Sequence, residues 1–416
     1  MNIWKINGGR ALEGSVNVQG SKNAVLPIMA ASFLAGCETA LFNSPELSDV
    51  SAAASILRHL GCTTQREGDV INIDSRNPVC CDVPHELMRE MRSSVIFLGA
   101  ILGRCGEARL SMPGGCELGP RPIDIHLDAL RTLGADITEH GGNIYCRTNG
   151  LKGAEINLAL PSVGATENTI IAACAAQGRT IITNAAKEPE IVDLCIYLRR
   201  LGANITGDGT STIKICGFDP VEHVEHRVMP DRIAAASLLC AVACAGGNVL
   251  IKGAKPKNLD TVISSVSDMG CHIESDSEDI HIISSGKLRA PRPVITKPYP
   301  GFPTDAQPLL MAACLKAAGT TVFVENIFEN RFRHAAELRR LGADIRTEGR
   351  VAAVTGVKNL SGAHMSVTDL RGGAALIIAA LSAEGESVIF DSGHVDRGYE
   401  NLETQLSGLG ADICRK

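Results

Sequence analysis

Leu133-Gly134-Ala135-Asp136-Ile137 organises this chain, because the phrase returns. The same five residues begin again at Leu341 and at Leu409. Near copies begin at Leu201 (Leu-Gly-Ala-Asn-Ile), Met269 (Met-Gly-Cys-His-Ile) and Leu60 (Leu-Gly-Cys). Successive starts lie 73, 68, 68, 72 and 68 residues apart, a regularity that marks a repeated structural unit.

Each copy carries a second signature upstream. A polar or charged opener leads into a run rich in Ala, Leu and Ile, then a Gly, then a β-branched strand. The openers are Ser21-Lys22-Asn23, Met91-Arg92-Ser93, Ser162-Val163-Gly164, Pro230-Asp231-Arg232, Thr304-Asp305-Ala306 and Thr368-Asp369-Leu370-Arg371. The runs after them are apolar nearly all round, which predicts helices buried on every side. Strands are expected over Thr180 to Thr183, Asn248 to Ile251, Thr321 to Val324 and Ser387 to Phe390. A more polar helix precedes each Leu-Gly phrase, as over Asp193 to Arg200 and Arg333 to Arg340. Each unit therefore reads as buried helix, strand, surface helix, strand, strand.

Six such units are too large for a simple solenoid, and their central helices are too apolar to stack on one side only. Three units closing around their buried helices bury every face. The expected architecture is α/β, with two such globules and a cleft between them. Helix N-termini expose unsatisfied N–H groups and partial positive charge, so they favour anions. N-capping explains openers such as Ser162 and Thr304. It does not explain Lys22, Arg92, Arg232 and Arg371, since cations are unfavourable there. Cations at helix N-termini point to a bound anion.

The bulk properties narrow the function. A chain of 416 residues with 45% hydrophobic residues is long enough for more than one core. Aromatic residues are only 3%, so small aliphatic side chains fill the interior. A formal net charge of -6 argues against general nucleic-acid binding, which relies on neutralised phosphates. It leaves room for small anions at a local cluster of Arg and Lys. Neither a signal-peptide core nor an apolar stretch of spanning length occurs, so a soluble cytoplasmic protein is expected. The fifteen cysteines are scattered, mostly in apolar segments, as at Cys174, Cys240, Cys244 and Cys314. Most of them read as buried free thiols. No zinc spacing, dinucleotide fingerprint or phosphate loop is present, so no metal or cofactor is expected. His223 and His226, beside Glu222 and Glu225, read as a solvated linker.

The densest chemical signal is Met112-Pro113-Gly114-Gly115-Cys116-Glu117-Leu118-Gly119-Pro120-Arg121-Pro122-Ile123-Asp124. So many Gly and Pro residues mark a loop able to act as a lid. A thiol at Cys116 and a guanidinium at Arg121 suit a place where a nucleophile meets an anion.

With these segments in hand, the chain resembles the UDP-N-acetylglucosamine 1-carboxyvinyltransferase family of enolpyruvyl transferases. The resemblance spans essentially the whole sequence. It rests on Gly20-Ser21-Lys22-Asn23-Ala24, the Cys116 loop, and Pro161-Ser162-Val163-Gly164-Ala165-Thr166. It continues through Glu188-Pro189-Glu190-Ile191-Val192-Asp193, Phe302-Pro303-Thr304-Asp305 and Phe328-Glu329-Asn330-Arg331-Phe332. It ends on Thr368-Asp369-Leu370-Arg371 and Asp396-Arg397-Gly398-Tyr399-Glu400. No single piece decides; the ordered set is specific.

The resemblance implies two inside-out α/β barrels of three pseudo-symmetric units each, residues 22–229 and residues 1–21 with 230–416. It implies a cleft that closes when the nucleotide sugar binds. The substrates it implies are phosphoenolpyruvate and UDP-N-acetylglucosamine, with no nucleic-acid or membrane partner, in the step opening peptidoglycan precursor synthesis. Lys22, Asn23, Arg121 and Arg397 match the family's phosphoenolpyruvate residues, with Arg92, Arg331 and Arg371 completing a positive rim. For the nucleotide sugar the matches are Arg92, Arg121, Pro122, Ile123, Asp124, Ile125, Ser162, Val163, Gly164, Asp305 and Ile327. Asp305 matches the base for the 3-hydroxyl. Cys116 matches the proton donor, a thiol that also adds covalently to the enolpyruvyl group. A neighbouring Arg121 favours its thiolate, which suits the nucleophile more than the acid.

Two departures stand out. Leu160 replaces a Lys found in some members, removing an ammonium contact to the diphosphate. Gly372-Gly373 follows Arg371 where larger residues often occur, an expected loosening of that helix start by about 1 kcal/mol per Gly. The rival readings are a 3-phosphoshikimate 1-carboxyvinyltransferase-like enzyme and a catalytically silent paralogue that binds nucleotide sugar. The Cys116 loop and Phe328-Glu329-Asn330-Arg331-Phe332 weigh against the first; Cys116, Asp305 and the cations weigh against the second.

Overall fold

The recurring Leu-Gly phrase is a helix stop. In the computed structural model, which describes residues 2–91, 93–112 and 123–416, the helix Asp124–Thr132 runs into Leu133 and then Gly134. Gly134 has φ 95°, where a Cβ is strained. Its N–H donates to the Arg131 carbonyl at 2.9 Å and the Ala135 N–H to Leu130 at 3.1 Å. This Schellman pairing satisfies the last carbonyls of the helix and turns the chain into a hairpin. Gly61, Gly202, Gly270, Gly342 and Gly410 share the conformation, with φ from 92° to 113°. The residue before each is buried, because it plugs the end of its helix into the core.

The described residues form a mixed α/β fold with six four-stranded sheets. One sheet shows the pattern. Glu155–Asn157 pairs in parallel with Arg179–Thr183, and the helix Val163–Cys174 makes the crossover. Thr212–Phe218 then pairs antiparallel with Arg179–Thr183, and Ala203–Thr206 lies outside it. The alternating burial of Ala203–Thr206 covers one face of its sheet and leaves the other wet. Three sheets take a strand from far along the chain. Leu12–Asn17 pairs in parallel with Gly247–Lys252, and Asn2–Asn7 inserts between Glu386–Asp391 and Asp412–Arg415. His223–Arg227 pairs in parallel with Glu38–Phe42.

Two units result. One comprises residues 2–19 and 230–416, the other the described residues between 20 and 229. Each has its own apolar core. In the first, the helices Arg232–Ala245, Gln307–Ala313 and Leu370–Ala380 all pack on one another. The Arg232 helix is buried along its length except for its last residue. In the second, Lys22–Ala35, Phe97–Cys105 and Val163–Cys174 do the same. Gly99 lies where the latter two meet, and a Cβ there would sit 2.5 Å from the Asn168 carbonyl oxygen. Asn168 Oδ1 accepts the Gly99 N–H at 2.7 Å, satisfying an orphan donor of the Phe97 helix from its neighbour. Core thiols behave as apolar filler: burial pushes Cys174 and Cys314 up to about 12. Among the described residues no helix is long and apolar enough to cross a membrane.

The segment holding His223 and His226 is a correction. It is a strand, and its period-2 burial turns Val224 and His226 inward. His226 Nε2 lies 3.1 Å from Asp193 Oδ1, whose other oxygen accepts the Met229 N–H at 3.1 Å.

Candidate active site

In the unit between residues 20 and 229, Ser21 caps the Lys22 helix by accepting the Ala24 N–H at 3.3 Å. The cap sets Lys22 in the first turn, where its ammonium meets Asp49 Oδ2 at 3.3 Å. Asp49 is buried in the first turn of Ser48–His59. The carboxylate therefore offsets a cation that a helix N-terminus repels. Asn23, half-buried, follows in the same turn.

Ser162 caps the Val163 helix through the Ala165 N–H at 3.4 Å. Gly164 passes the His126 ring so closely that a Cβ would meet Cε1 at 3.2 Å. Burial pushes His126 down to about 4, so the ring is neutral, with Nδ1 3.2 Å from Asn168 Nδ2. Ile123, Asp124 and Ile125 form the start of the neighbouring helix, with Asp124 exposed. One turn into the Val163 helix, Glu167 is fully buried. Burial, then Glu190 and Glu188, raise its carboxyl well above the ordinary range, favouring the protonated form.

The other unit holds a carboxylate between two guanidiniums. Asp305 Oδ1 accepts from Arg331 Nη2 at 3.0 Å, and Oδ2 accepts from Arg371 Nε at 3.2 Å. The Arg331 and Arg371 side chains are 1% and 2% exposed, whereas Asp305 is 31% exposed. The arginines thus fix the plane of a carboxylate that stays partly exposed. Arg331 also donates to the Thr304 carbonyl at 3.2 and 3.0 Å. Arg371 has its guanidinium carbon 5.2 Å from the Tyr399 ring. Burial opposes its charge, but Tyr399, Asp305 and Asp231 outweigh burial and raise its pKa. Its two terminal nitrogens are buried beside the Tyr399 hydroxyl and meet no acceptor at full hydrogen-bond geometry among the described residues. Donors left open at such desolvation cost suit an anionic ligand.

Asp369 stands beneath this cluster. It caps the Leu370 helix through the Arg371 and Gly372 N–H groups at 3.2 and 3.0 Å. Burial pushes its carboxyl up, but Arg331 and His334 more than reverse the shift and hold it low. His334 Nδ1 donates to the Arg331 carbonyl at 3.1 Å, and burial lowers the ring to about 4. Gly372 is required here: a Cβ would stand 2.6 Å from Asp369 Oδ2 and 3.0 Å from the His334 Cβ. Gly373 is equally crowded by Val367 and Val395. The expected loosening of this helix start is corrected to tight packing.

Thr304 is corrected too. Its hydroxyl does not cap its helix but donates to Glu325 Oε2 at 3.0 Å. The other Glu325 oxygen accepts the Ile327 and Phe328 N–H groups at 2.8 and 3.0 Å, presenting Ile327 at the surface. Arg397 ends the short helix Val395–Arg397. Asp391, fully buried, accepts the N–H groups of Gly393, His394 and Val395 and holds that helix from below. Arg92, Cys116, Arg121 and Pro122 lie outside the described residues. Leu160 is exposed at the surface.

Of the sequence candidates, one unit thus gathers Asp305, Arg331 and Arg371 into one bonded cluster. The second separately carries Lys22, Asn23 and Ser162 through Gly164 at its inner-helix starts. Sequence reasoning missed Asp49, Glu325 and His334, whose partners lie 27, 21 and 3 residues away.

A mixed α/β fold whose inner helices begin on cations, beside carboxylates that cap them, suits a protein that handles anions. The chain belongs to the EPSP synthase (3-phosphoshikimate 1-carboxyvinyltransferase) family, which matches residues 6–406. It is 46% identical over 415 residues to UDP-N-acetylglucosamine 1-carboxyvinyltransferase 2 of Caldanaerobacter subterraneus subsp. tengcongensis, covering 100% of both chains. It is 45% identical to the UDP-N-acetylglucosamine 1-carboxyvinyltransferase of Myxococcus xanthus, over 99% of this chain and 98% of that one. Among solved structures, the enolpyruvyl transferase NikO from Streptomyces tendae superposes with a TM-score of 0.91 at 25% identity. That match covers 100% of this chain and 99% of the other. EPSP synthase from Acinetobacter baumannii shares the fold, with a TM-score of 0.76 at 19% identity over 100% of both chains.

Proposed function

We propose that this chain transfers the enolpyruvyl group of phosphoenolpyruvate to the 3-hydroxyl of UDP-N-acetylglucosamine, releasing phosphate. The reaction opens peptidoglycan precursor synthesis in the cytoplasm. The observation that carries the reading is the partly exposed Asp305 carboxylate, fixed by two buried guanidiniums. The names of relatives sharing 45–46% identity over the whole chain support the choice of acceptor.

Phosphoenolpyruvate bears a phosphate and a carboxylate on one small alkene, and Arg forks with a Lys point charge suit both. Lys22, Arg121 and Arg397 take these groups, Arg92 and Asn23 assist, and Arg331 and Arg371 extend the positive rim. Ile123, Asp124, Ile125, Pro122, Ser162, Val163, Gly164 and Ile327 hold the nucleotide sugar.

Asp305 takes the proton of the 3-hydroxyl as its oxygen bonds to C2 of phosphoenolpyruvate. Cys116 delivers a proton to C3, turning the methylene into a methyl group. In the resulting tetrahedral intermediate the C2–O bond to phosphate breaks. The methyl group gives back one proton, and the vinyl ether forms. The cations stabilise charge on the departing phosphate.

The six sheets and their crossover helices support six copies of one unit in two inside-out α/β barrels, 22–229 and 1–21 with 230–416. The test is phosphate release from phosphoenolpyruvate, run in parallel with UDP-N-acetylglucosamine and with shikimate 3-phosphate. Release with the first acceptor alone is expected. Release with shikimate 3-phosphate alone assigns the other family activity and overturns the proposal.

A further inference from the structure

We propose that Gln19 is a positioning residue for Arg397, and through it for phosphoenolpyruvate. Gln19 follows the strand Leu12–Asn17 by two residues and is only 8% exposed. Its side-chain amide grips the turn that leaves Arg397. Nε2 donates to the Gly398 carbonyl at 3.1 Å, and Oε1 accepts the Glu400 N–H at 2.8 Å. Both ends of the amide are thus spent on the backbone either side of Tyr399. The Gln19 carbonyl meanwhile accepts the Asp231 N–H at 2.8 Å. Asp231 caps the Arg232 helix through the Ile233 and Ala234 N–H groups at 2.8 and 3.0 Å.

One residue therefore ties the start of an inner helix to the peptide that follows Arg397. Tyr399 runs a second tie to the same helix, with its hydroxyl 2.8 Å from Ser237 Oγ. The N-terminal side of the Arg397 turn is fixed separately, by Asp391 and by Asp396, which bonds to Arg415 and Asn2. Gln19 is the polar clamp on its C-terminal side. Gly398 and Tyr399 are buried, so water does not readily replace the lost partners when the amide is removed. Because Gly398 shares a peptide bond with Arg397, a shift there swings the guanidinium. A group displaced by about 1 Å loses much of its contribution to binding and orientation. The Asp305–Arg331 pair belongs to other elements, whereas Arg371 packs on Tyr399 of this same turn.

The inference rests on the reading that Arg397 binds phosphoenolpyruvate, and the experiment separates the two. In the full chain, Gln19→Met keeps length and removes both bonds. Gln19→Glu keeps the acceptor for the Glu400 N–H and loses the donor to Gly398. Gln19→Met is expected to raise KM for phosphoenolpyruvate about tenfold, with KM for UDP-N-acetylglucosamine changed less than about twofold. Gln19→Glu should fall between it and the wild type. An unchanged phosphoenolpyruvate KM in Gln19→Met overturns the proposal. So does an equal rise in both KM values together with a lowered melting temperature, the signature of a merely structural residue. Should Gln19→Met not fold, the same comparison is read on Gln19→Glu. A wild-type chain that releases no phosphate sinks the enzymatic reading and this inference with it. An active wild type with an insensitive Gln19 sinks the inference alone.

Discussion

Arg331 and Arg371 donate to different oxygens of Asp305, at 3.0 and 3.2 Å, so one carboxylate is held flat by two buried cations. Removing its basicity should cost turnover before it costs the fold. Asp305→Asn keeps the volume and one acceptor oxygen, and should lower kcat by roughly 10²- to 10⁴-fold, the range of a lost general base. Asp305→Ala also leaves both guanidiniums without their carboxylate, and should melt at a lower temperature than Asp305→Asn. Phosphate-release kinetics and thermal melts check both. Wild-type turnover in Asp305→Asn contradicts the assignment.

Lys22 and Asp49 form a pair in which the carboxylate is the more buried partner, 2% exposed against 13%. Lys22→Ala should therefore lose phosphoenolpyruvate binding and about 1–3 kcal/mol of stability, because the buried Asp49 loses a cation partner. Adding Asp49→Ala should restore the melting temperature but not ligand binding. Denaturant melts and phosphoenolpyruvate titration separate the two effects. Recovery of binding in the double variant counts against Lys22 as a ligand-holding cation.

The assignment of Cys116 rests on its Gly-rich loop and its neighbour Arg121. Cys116→Ser should lower turnover sharply and abolish covalent labelling by the epoxide fosfomycin. Peptide mapping by mass spectrometry locates the label. Unchanged labelling of that peptide in the variant removes the thiol from the mechanism.

Two buried groups should give the stability profile opposite slopes. Glu167 has a raised folded pKa, so the native state holds a proton that the unfolded chain releases above its ordinary value of 4.5. Its contribution is present below that value and is lost as pH rises toward the folded pKa. Glu167→Gln should gain melting temperature relative to wild type as pH increases. His126 falls from 6.5 to about 4, so its contribution is present above 6.5 and is lost as pH falls through that window. Over it the loss is roughly 3 kcal/mol at 1.4 kcal/mol per unit. His126→Gln should flatten the acid side. Melting curves from pH 4 to 9 read both; parallel curves for wild type and variants contradict the buried-charge account.

The features legible in the sequence are local ones. Leu133-Gly134 announces a helix end because a left-handed glycine and a core-plugging leucine act within one turn. Ser21, Ser162, Asp231 and Asp369 cap the helices they precede for the same reason. Features depending on distant partners were not legible. His226 looked solvated because its flanking charges point outward, while Asp193 meets it from 33 residues away. Gln19 reaches a turn 379 residues on, and Gly372 is crowded by a histidine from another helix. Lys22 and Arg371 stood out as cations misplaced at helix starts. Their carboxylates, Asp49 and Asp305, are set against them only by folding.

The central claim is that an enolpyruvyl group ends on the sugar. The most direct measurement is carbon NMR of the product after incubating the chain with phosphoenolpyruvate and UDP-N-acetylglucosamine. A vinyl ether on the 3-oxygen of the sugar, formed with one free phosphate, is the predicted result. Both substrates recovered intact, or phosphate released with the acceptor unmodified, would contradict the account.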